Sequence, residues 1–251
     1  MTIQYCSDLH LEMAENRKAL TRKPITPTGD ILILAGDIMP FAIQETCDDF
    51  IDFASDHFSA VYWLPGNHEY YGSDIAEKPN PLFEKVRDNF FLVNNQSITI
   101  GKTRLVFSTL WGQISPYREM DIQRRVSDFS AIRENGRRFM PHSFSFFHRQ
   151  SLAFLETALQ PEKVEQTIVV THHVPTLMNY PAFYKNSPLQ EVFVVELYAF
   201  IQRSQADYWI YGHHHVNTPE FTIGKTRMVT NQLGYVRHYE HQSFRRDAVL
   251  V

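Results

Sequence analysis

The stretch Ala206-Asp207-Tyr208-Trp209-Ile210-Tyr211-Gly212-His213-His214-His215 constrains this chain more than any other. An apolar, aromatic run of strand type stops at a glycine and delivers three histidines. At a strand-to-loop turn, glycine lets the backbone bend without a Cβ clash. His213 and His215 then share a side while His214 faces elsewhere. Imidazole is the commonest protein ligand for Zn, Fe, Mn and Ni, and three buried imidazoles call for a cation or carboxylates nearby. A metal site at this strand end is the expectation.

Other strand-like runs end in the same way. The segment 2–7 leads into Asp8-Leu9-His10, whose i, i+2 spacing puts both side chains on one face of an extended backbone. Ile31-Leu32-Ile33-Leu34-Ala35 is a continuous apolar run, as expected of a strand buried on both faces, and stops at Gly36-Asp37. A carboxylate there is costly unless paired or metal-bound. Ala60–Leu64 delivers Pro65-Gly66-Asn67-His68-Glu69, and Thr167–Val170 delivers Thr171-His172-His173. Residues 11–29 read as a surface loop. Residues 41–57 read as a helix with Phe41, Phe50, Phe53 and Ala54 inward. A short helix is expected after the Pro/Asn break at 79–81, and further helices over 146–159 and 192–203. Hairpins are expected at 96–109, turning at Gly101-Lys102, and at 220–230.

The chain also resembles itself. Ala60-Val-Tyr-Trp-Leu-Pro-Gly-Asn-His aligns with Ala206-Asp-Tyr-Trp-Ile-Tyr-Gly-His-His, and the two Thr-Ile-Gly-Lys-Thr-Arg hairpins align in the same order. This pattern predicts two similar βαβ halves, bringing Asp37 and Asn67 opposite His172 and His213. Ligand sites in α/β sheets lie at the carboxyl ends of strands, where every one of these residues falls.

Composition narrows the class. With 251 residues, 43% hydrophobic and 21% charged, the chain has material for one large α/β domain over 1–251. A net charge of −4 argues against nucleic-acid binding driven by bulk charge, so nucleic acid is a possible but not a favoured partner. Two cysteines support neither a disulfide framework nor a thiolate zinc site. No signal peptide or membrane span is visible, and a cytoplasmic location is expected. Eight arginines fall between 104 and 149, and no lysine between 103 and 162. The stretch 112–150 reads as an Arg-rich insertion. Its guanidinium forks suit phosphate oxygens, and Arg133 is the one singled out for substrate.

Together the strand ends supply Asp8, His10, Asp37, Asn67, His172, His213 and His215. That is more than one four-coordinate zinc uses, and two cations about 3.5–4 Å apart bridged by a carboxylate would fit. Nitrogen and oxygen donors without thiolate suit transition metals rather than Ca or Mg. Asp8-x-His10, Gly36-Asp37, Gly66-Asn67-His68-Glu69, His172 and Gly212-His213-x-His215 resemble, in order, the five blocks of the calcineurin-like metallophosphoesterases.

The resemblance implies an α/β fold, a four-layer α-β-β-α sandwich of two mixed sheets. It implies two di- or trivalent transition-metal ions, drawn from Mn, Fe, Zn, Ni and Co. One would be held by Asp8, His10 and His215, the other by Asn67, His172 and His213, with Asp37 bridging. His68 would be the non-ligand catalytic imidazole, assisting the leaving group as a metal-bridging hydroxide attacks. Glu69 would support the ligands from behind, while His173 and Asn231 would stand near the substrate. Protein phosphatases of this superfamily carry arginines where Ile38-Met39-Pro40 and Pro65 stand here. The closer likeness is to small phosphodiesterase-like members acting on a small or nucleotide-type phosphoester. A phosphomonoesterase, a nuclease gripping its substrate with arginines 118–149, and a metal-binding interaction scaffold are the alternatives.

Overall fold

The structure is a computed structural model describing residues 1–250. Its first half runs through β1 (Ile3–Cys6), α1 (Ala14–Arg22), β2 (Ile31–Ala35), α2 (Asp48–His57), β3 (Ala60–Leu64), β4 (Leu82–Arg87) and β5 (Phe90–Asn94). A hairpin follows, β6 (Gln96–Ile100) and β7 (Thr103–Ser108). The stretch 112–150 carries α3 (Glu119–Arg125), α4 (Asp128–Ala131), β8 (Arg133–Glu134), β9 (Arg137–Arg138) and the start of α5 (Pro141–Ala158). The chain closes through β10 (Gln166–Thr171), α6 (Gln190–Phe193), α7 (Tyr198–Ser204), β11 (Tyr208–Ile210), β12 (Phe221–Ile223) and β13 (Thr226–Val229).

Two mixed sheets result, with strand orders β1-β2-β3-β5-β4 and β12-β13-β11-β10-β7-β6. Alternation along each strand explains the layering. Ile31, Ile33 and Ala35 of β2 point between the sheets, where they meet Leu105, Phe107, Ile168, Val170 and Ile210. Leu32 and Leu34 turn outward under the α1 and α2 side, while Val106, Val169 and Trp209 turn outward toward α5 and α7. Both faces of each central strand are therefore covered, which is why these runs are continuously apolar. The layers are α-β-β-α.

The two-fold is topological. Strands β1-β2-β3-β5-β4 correspond to β7-β10-β11-β13-β12, parallel in each sheet except for the last, antiparallel edge strand. The aligned Gly-Lys-Thr-Arg hairpins are not its carriers. Both lie in the second sheet, at opposite edges, and the counterpart of β12–β13 in the first sheet is β4–β5. Their likeness reflects shared hairpin-turn chemistry.

Other expectations need correction. Residues 11–29 are not all loop, because α1 forms without a side-chain cap at Met13. Tertiary bonds hold it instead: the buried Asn16 amide donates to the carbonyls of Leu9 and Gly234. After the break, 82–87 is an edge strand rather than a helix. Residues 41–47 wind as a 3-10 helix before α2, and 192–203 is broken where Val194 becomes extended and bridges to Val174. Helix α5 begins earlier than expected, at Pro141, whose fixed φ suits a first helical position. Among the described residues, no helix is long and apolar enough to cross a membrane.

Phe107 is fully buried between the sheets, its ring 5.6 Å from that of Tyr62. Replacing it with alanine is expected to cost about 3–5 kcal/mol. Urea unfolding measures this, and a loss below about 1 kcal/mol would mean that the inter-sheet layer is not the core.

Candidate metal centre

All five ligand-bearing turns follow the carboxyl ends of β1, β2, β3, β10 and β11. Three glycines let them converge. A Cβ on Gly66 would lie 2.2 Å from Asp37 Oδ1 and 2.7 Å from the His172 ring. One on Gly212 would lie 2.6 Å from Asp8 Oδ2, and one on Gly36 would lie 2.3 Å from His172 Nδ1. The glycines are therefore the space into which neighbouring functional groups pack. Five of the seven expected ligand residues also have left-handed backbones: Asp8 (φ 55°), His10 (46°), Asp37 (54°), His213 (78°) and His215 (54°). Non-glycine residues take this conformation only where surrounding structure imposes it, and such strain concentrates at functional sites.

The side chains fall into two imidazole pairs on either side of one carboxylate. His10 Nε2 lies 2.9 Å from His215 Nε2, and His172 Nε2 lies 3.1 Å from His213 Nδ1. Asp37 Oδ1 accepts the His68 backbone N–H at 2.9 Å, while its Oδ2 stands 3.3 Å from His172 Nε2 and 3.8 Å from His10 Nε2. Asp8 lies 3.4 Å from His215 Nε2 and accepts the backbone N–H of His213. Geometry thus defines two clusters that share Asp37, Asp8-His10-Asp37-His215 and Asp37-His172-His213, and a third, His10-Glu12-His68, that joins the first at His10.

These donors fit metal ions. The outer nitrogens of three of the four rings are already engaged, His10 Nδ1 on Glu12, His215 Nδ1 on Glu240 and His172 Nδ1 on the Ala35 carbonyl, while His213 Nε2 is buried without a partner. Were all the rings neutral, bare lone pairs would face each other at the centre; positive charge there, a metal ion or in its absence a proton, relieves that. The electrostatics agree. Burial lowers the basicity of His172 and His215, yet Asp37 and Asp8 outweigh it at His172, and Asp8 and Glu240 at His215, pushing the two rings up to about 9 and about 10 and favouring positive charge on both sides of Asp37. Asn67 completes the set: its Nδ2 donates to Asp128 at 2.9 Å, which leaves its buried Oδ1 without a hydrogen-bond partner.

Comparison with known proteins decides the family. The calcineurin-like phosphoesterase profile matches residues 1–217. The chain belongs to that family. An uncharacterised protein of Acanthamoeba polyphaga mimivirus is 28% identical, over 93% of this chain and 91% of that one. The crystal structure of phosphopantetheinyl hydrolase from Mycobacterium tuberculosis has the same fold, with a TM-score of 0.70 at 18% identity, over 100% of this chain and 95% of that one. A dimetal phosphatase from Danio rerio gives a TM-score of 0.45 at 13% identity, covering 92% and 87%.

Around the centre of this calcineurin-like phosphoesterase, the remaining candidates divide. His68 borders a cavity of about 410 Å³ together with Asp37, Asn67, His213 and His215. Its ring stacks on Tyr71 with centroids 4.0 Å apart. Glu69 is fully buried and accepts the backbone N–H groups of Asp37, Ile38 and Gly66 and the Trp63 indole. It clamps the two glycine turns together. Burial and the charge of Asp37 push its carboxyl up to about 7.

Three expected substrate residues lie elsewhere. Arg133 is exposed on the β8–β9 hairpin, its N–H bonded to the Ser73 carbonyl, and does not line the cavity. His173 is buried behind His213, rings 4.1 Å apart, with Nδ1 on the Thr109 carbonyl. Asn231 ties backbone to backbone, donating to Tyr5 and Arg245 carbonyls and accepting the Arg245 N–H. The guanidinium at the cavity is instead Arg125. Sequence reasoning also passed over Glu12, Asp128 and Glu240. Glu12 stood two residues past His10, at the spacing already noted for Asp8 and His10; the other two carry no local signal.

The Gly66→Ala substitution tests the packing account. We expect native far-UV circular dichroism, because Gly66 follows β3 rather than lying inside it. Metal retained after dialysis should fall sharply. Unchanged metal content would show that the close approach to Asp37 is dispensable.

Proposed function

We propose that this phosphoesterase hydrolyses a phosphodiester with two metal ions held by Asp8, His10, Asp37, Asn67, His172, His213 and His215. The observation that carries this reading is Asp37 Oδ2, set between the two imidazole pairs. Mn, Fe, Zn, Co and Ni all suit this borderline set of nitrogen and oxygen donors. When bound, such a pair supplies a water that is nucleophilic at neutral pH and neutralises charge on the phosphoryl oxygens.

The chain's own groups do the rest. His68 has Nδ1 fixed on Glu12 at 2.9 Å, which leaves Nε2 to meet the departing oxygen and hand it a proton. Asp128, by gripping the Asn67 amide, keeps Oδ1 turned away from the insertion and available to a metal. Tyr71 holds Asp128 in place with its hydroxyl at 2.6 Å.

Charge and shape favour a diester. A phosphomonoester is largely dianionic near neutral pH, whereas a diester carries one charge. Among the described residues, Arg125 is the one guanidinium or ammonium group lining the cavity, and its side chain is half exposed beside Asp121. Much of the remaining lining is apolar or aromatic, from Val126, Leu189, Val192, Phe193, Tyr180 and Tyr184. Such walls suit an uncharged second arm. The other insertion arginines, which a nuclease would use to grip a backbone, stand outside this cavity.

With Mn supplied, bis-p-nitrophenyl phosphate should turn over with a higher kcat/KM than p-nitrophenyl phosphate. On a phenyl or alkyl phosphodiester, whose leaving oxygen needs a proton, His68→Ala should keep both metals and lose turnover by about 10²–10⁴-fold. Loss of metal in that variant would reassign His68 as a ligand. Absence of hydrolysis with Mn, Fe, Zn, Co and Ni each supplied would favour a binding scaffold.

A further inference from the structure

Glu12 lies two residues beyond His10, and its carboxylate joins His10 of the metal cluster to His68. A single oxygen, Oε1, is 2.9 Å from His10 Nδ1 and 2.9 Å from His68 Nδ1. The two rings meet edge to face with centroids 4.5 Å apart. The other oxygen, Oε2, is buried and makes no hydrogen bond. A carboxylate left half unsatisfied is costly, so the bonds that Oε1 makes hold a group that would otherwise turn to solvent. Tyr71 covers one face of His68 and Tyr235 packs on His10, 4.6 Å between centroids, so neither ring is free to turn.

The geometry points to Glu12 as a positioning residue that orients His10 and His68 together. It engages Nδ1 of each ring as a donor, turning Nε2 of His10 into the metal cluster and Nε2 of His68 toward the substrate. The inference rests on the leaving-group role proposed for His68. In that step the bond from phosphorus to the leaving oxygen breaks, and a bond from phosphorus to the water oxygen forms. The proton on His68 Nε2 goes to the leaving oxygen, and a proton from the water replaces it through solvent. Because one carboxylate sets both rings, the proton donor is held in register with the metal side of the site. Displacing Glu12 would disturb leaving-group assistance even where both ions remain bound.

The test uses the full-length protein at saturating Mn, with aryl phosphodiesters whose leaving phenols run from p-nitrophenol to phenol. The p-nitrophenolate ion departs without a proton, whereas phenol needs one. Glu12→Ala is expected to lose roughly ten- to hundredfold more kcat on the phenyl ester than on the p-nitrophenyl ester, part of the range typical of a general acid. Glu12→Gln, which keeps an acceptor oxygen, should restore most of that difference. Metal content should stay at the wild-type value in both variants. Equal losses on every ester would reduce Glu12 to a structural prop and overturn the inference. So would loss of one metal equivalent at saturation in Glu12→Gln, because that variant still holds His10 through its amide oxygen and the loss would make Glu12 a ligand. His68→Ala is the control. If it shows no leaving-group dependence, the proposed role of His68 fails and this inference with it. If His68→Ala shows the dependence and Glu12→Ala does not, the inference about Glu12 alone is refuted.

Discussion

The Asp37 carboxylate is packed where no ordinary side chain would leave room for it. One oxygen is pinned by the His68 N–H, and the other faces imidazoles delivered by both sheets. Buried and acidic, it is stable there only because positive charge converges on it. Burial alone would push its carboxyl up, but His172 and His68 hold it well below the usual carboxylate range. The glycines at 36, 66 and 212, the left-handed turns and the clamp formed by Glu69 all serve this approach. Relaxing any of them would separate the two sheets' contributions to the site.

Sheet topology makes that convergence possible. Parallel strands at the centre of each sheet deliver their carboxyl ends to one edge, and stacking the sheets face to face brings the two edges together. The pseudo-two-fold accounts for equivalent turns after β2 and β10 and after β3 and β11. Where the halves differ, function differs. The turn after β1 carries Asp8 and His10, whereas the turn after its counterpart β7 carries Thr109, which receives His173 and bonds to the Pro65 carbonyl. Residues 112–150, between the halves, pack Phe129, Phe139 and Phe144 with Trp111, Tyr70 and Val192 in a separate apolar cluster, and Asp128 reaches back from there to Asn67.

What could be read from the sequence divides along physical lines. Strands β2, β3, β10 and β11 were legible because burial on both faces demands unbroken apolar runs. Their glycine-terminated ends marked the donors because few other sequences put imidazole and carboxylate there. Helix α1 was hidden because distant carbonyls on Leu9 and Gly234 anchor it, not a cap or an apolar stripe. The guanidinium of Arg133 suits a phosphate, but charge type does not say which way a surface hairpin points. The supports Asp128 and Glu240 act across 61 and 25 residues of sequence, so only folding reveals what they touch.

The central claim is that two cations share Asp37. Anomalous diffraction from crystals grown with Mn, recorded on both sides of its absorption edge, tests it most directly. Two cations sharing Asp37 should give two peaks flanking its carboxylate, one against His10 and His215 and the other against His172 and His213. A single peak, or peaks away from Asp37, would contradict it.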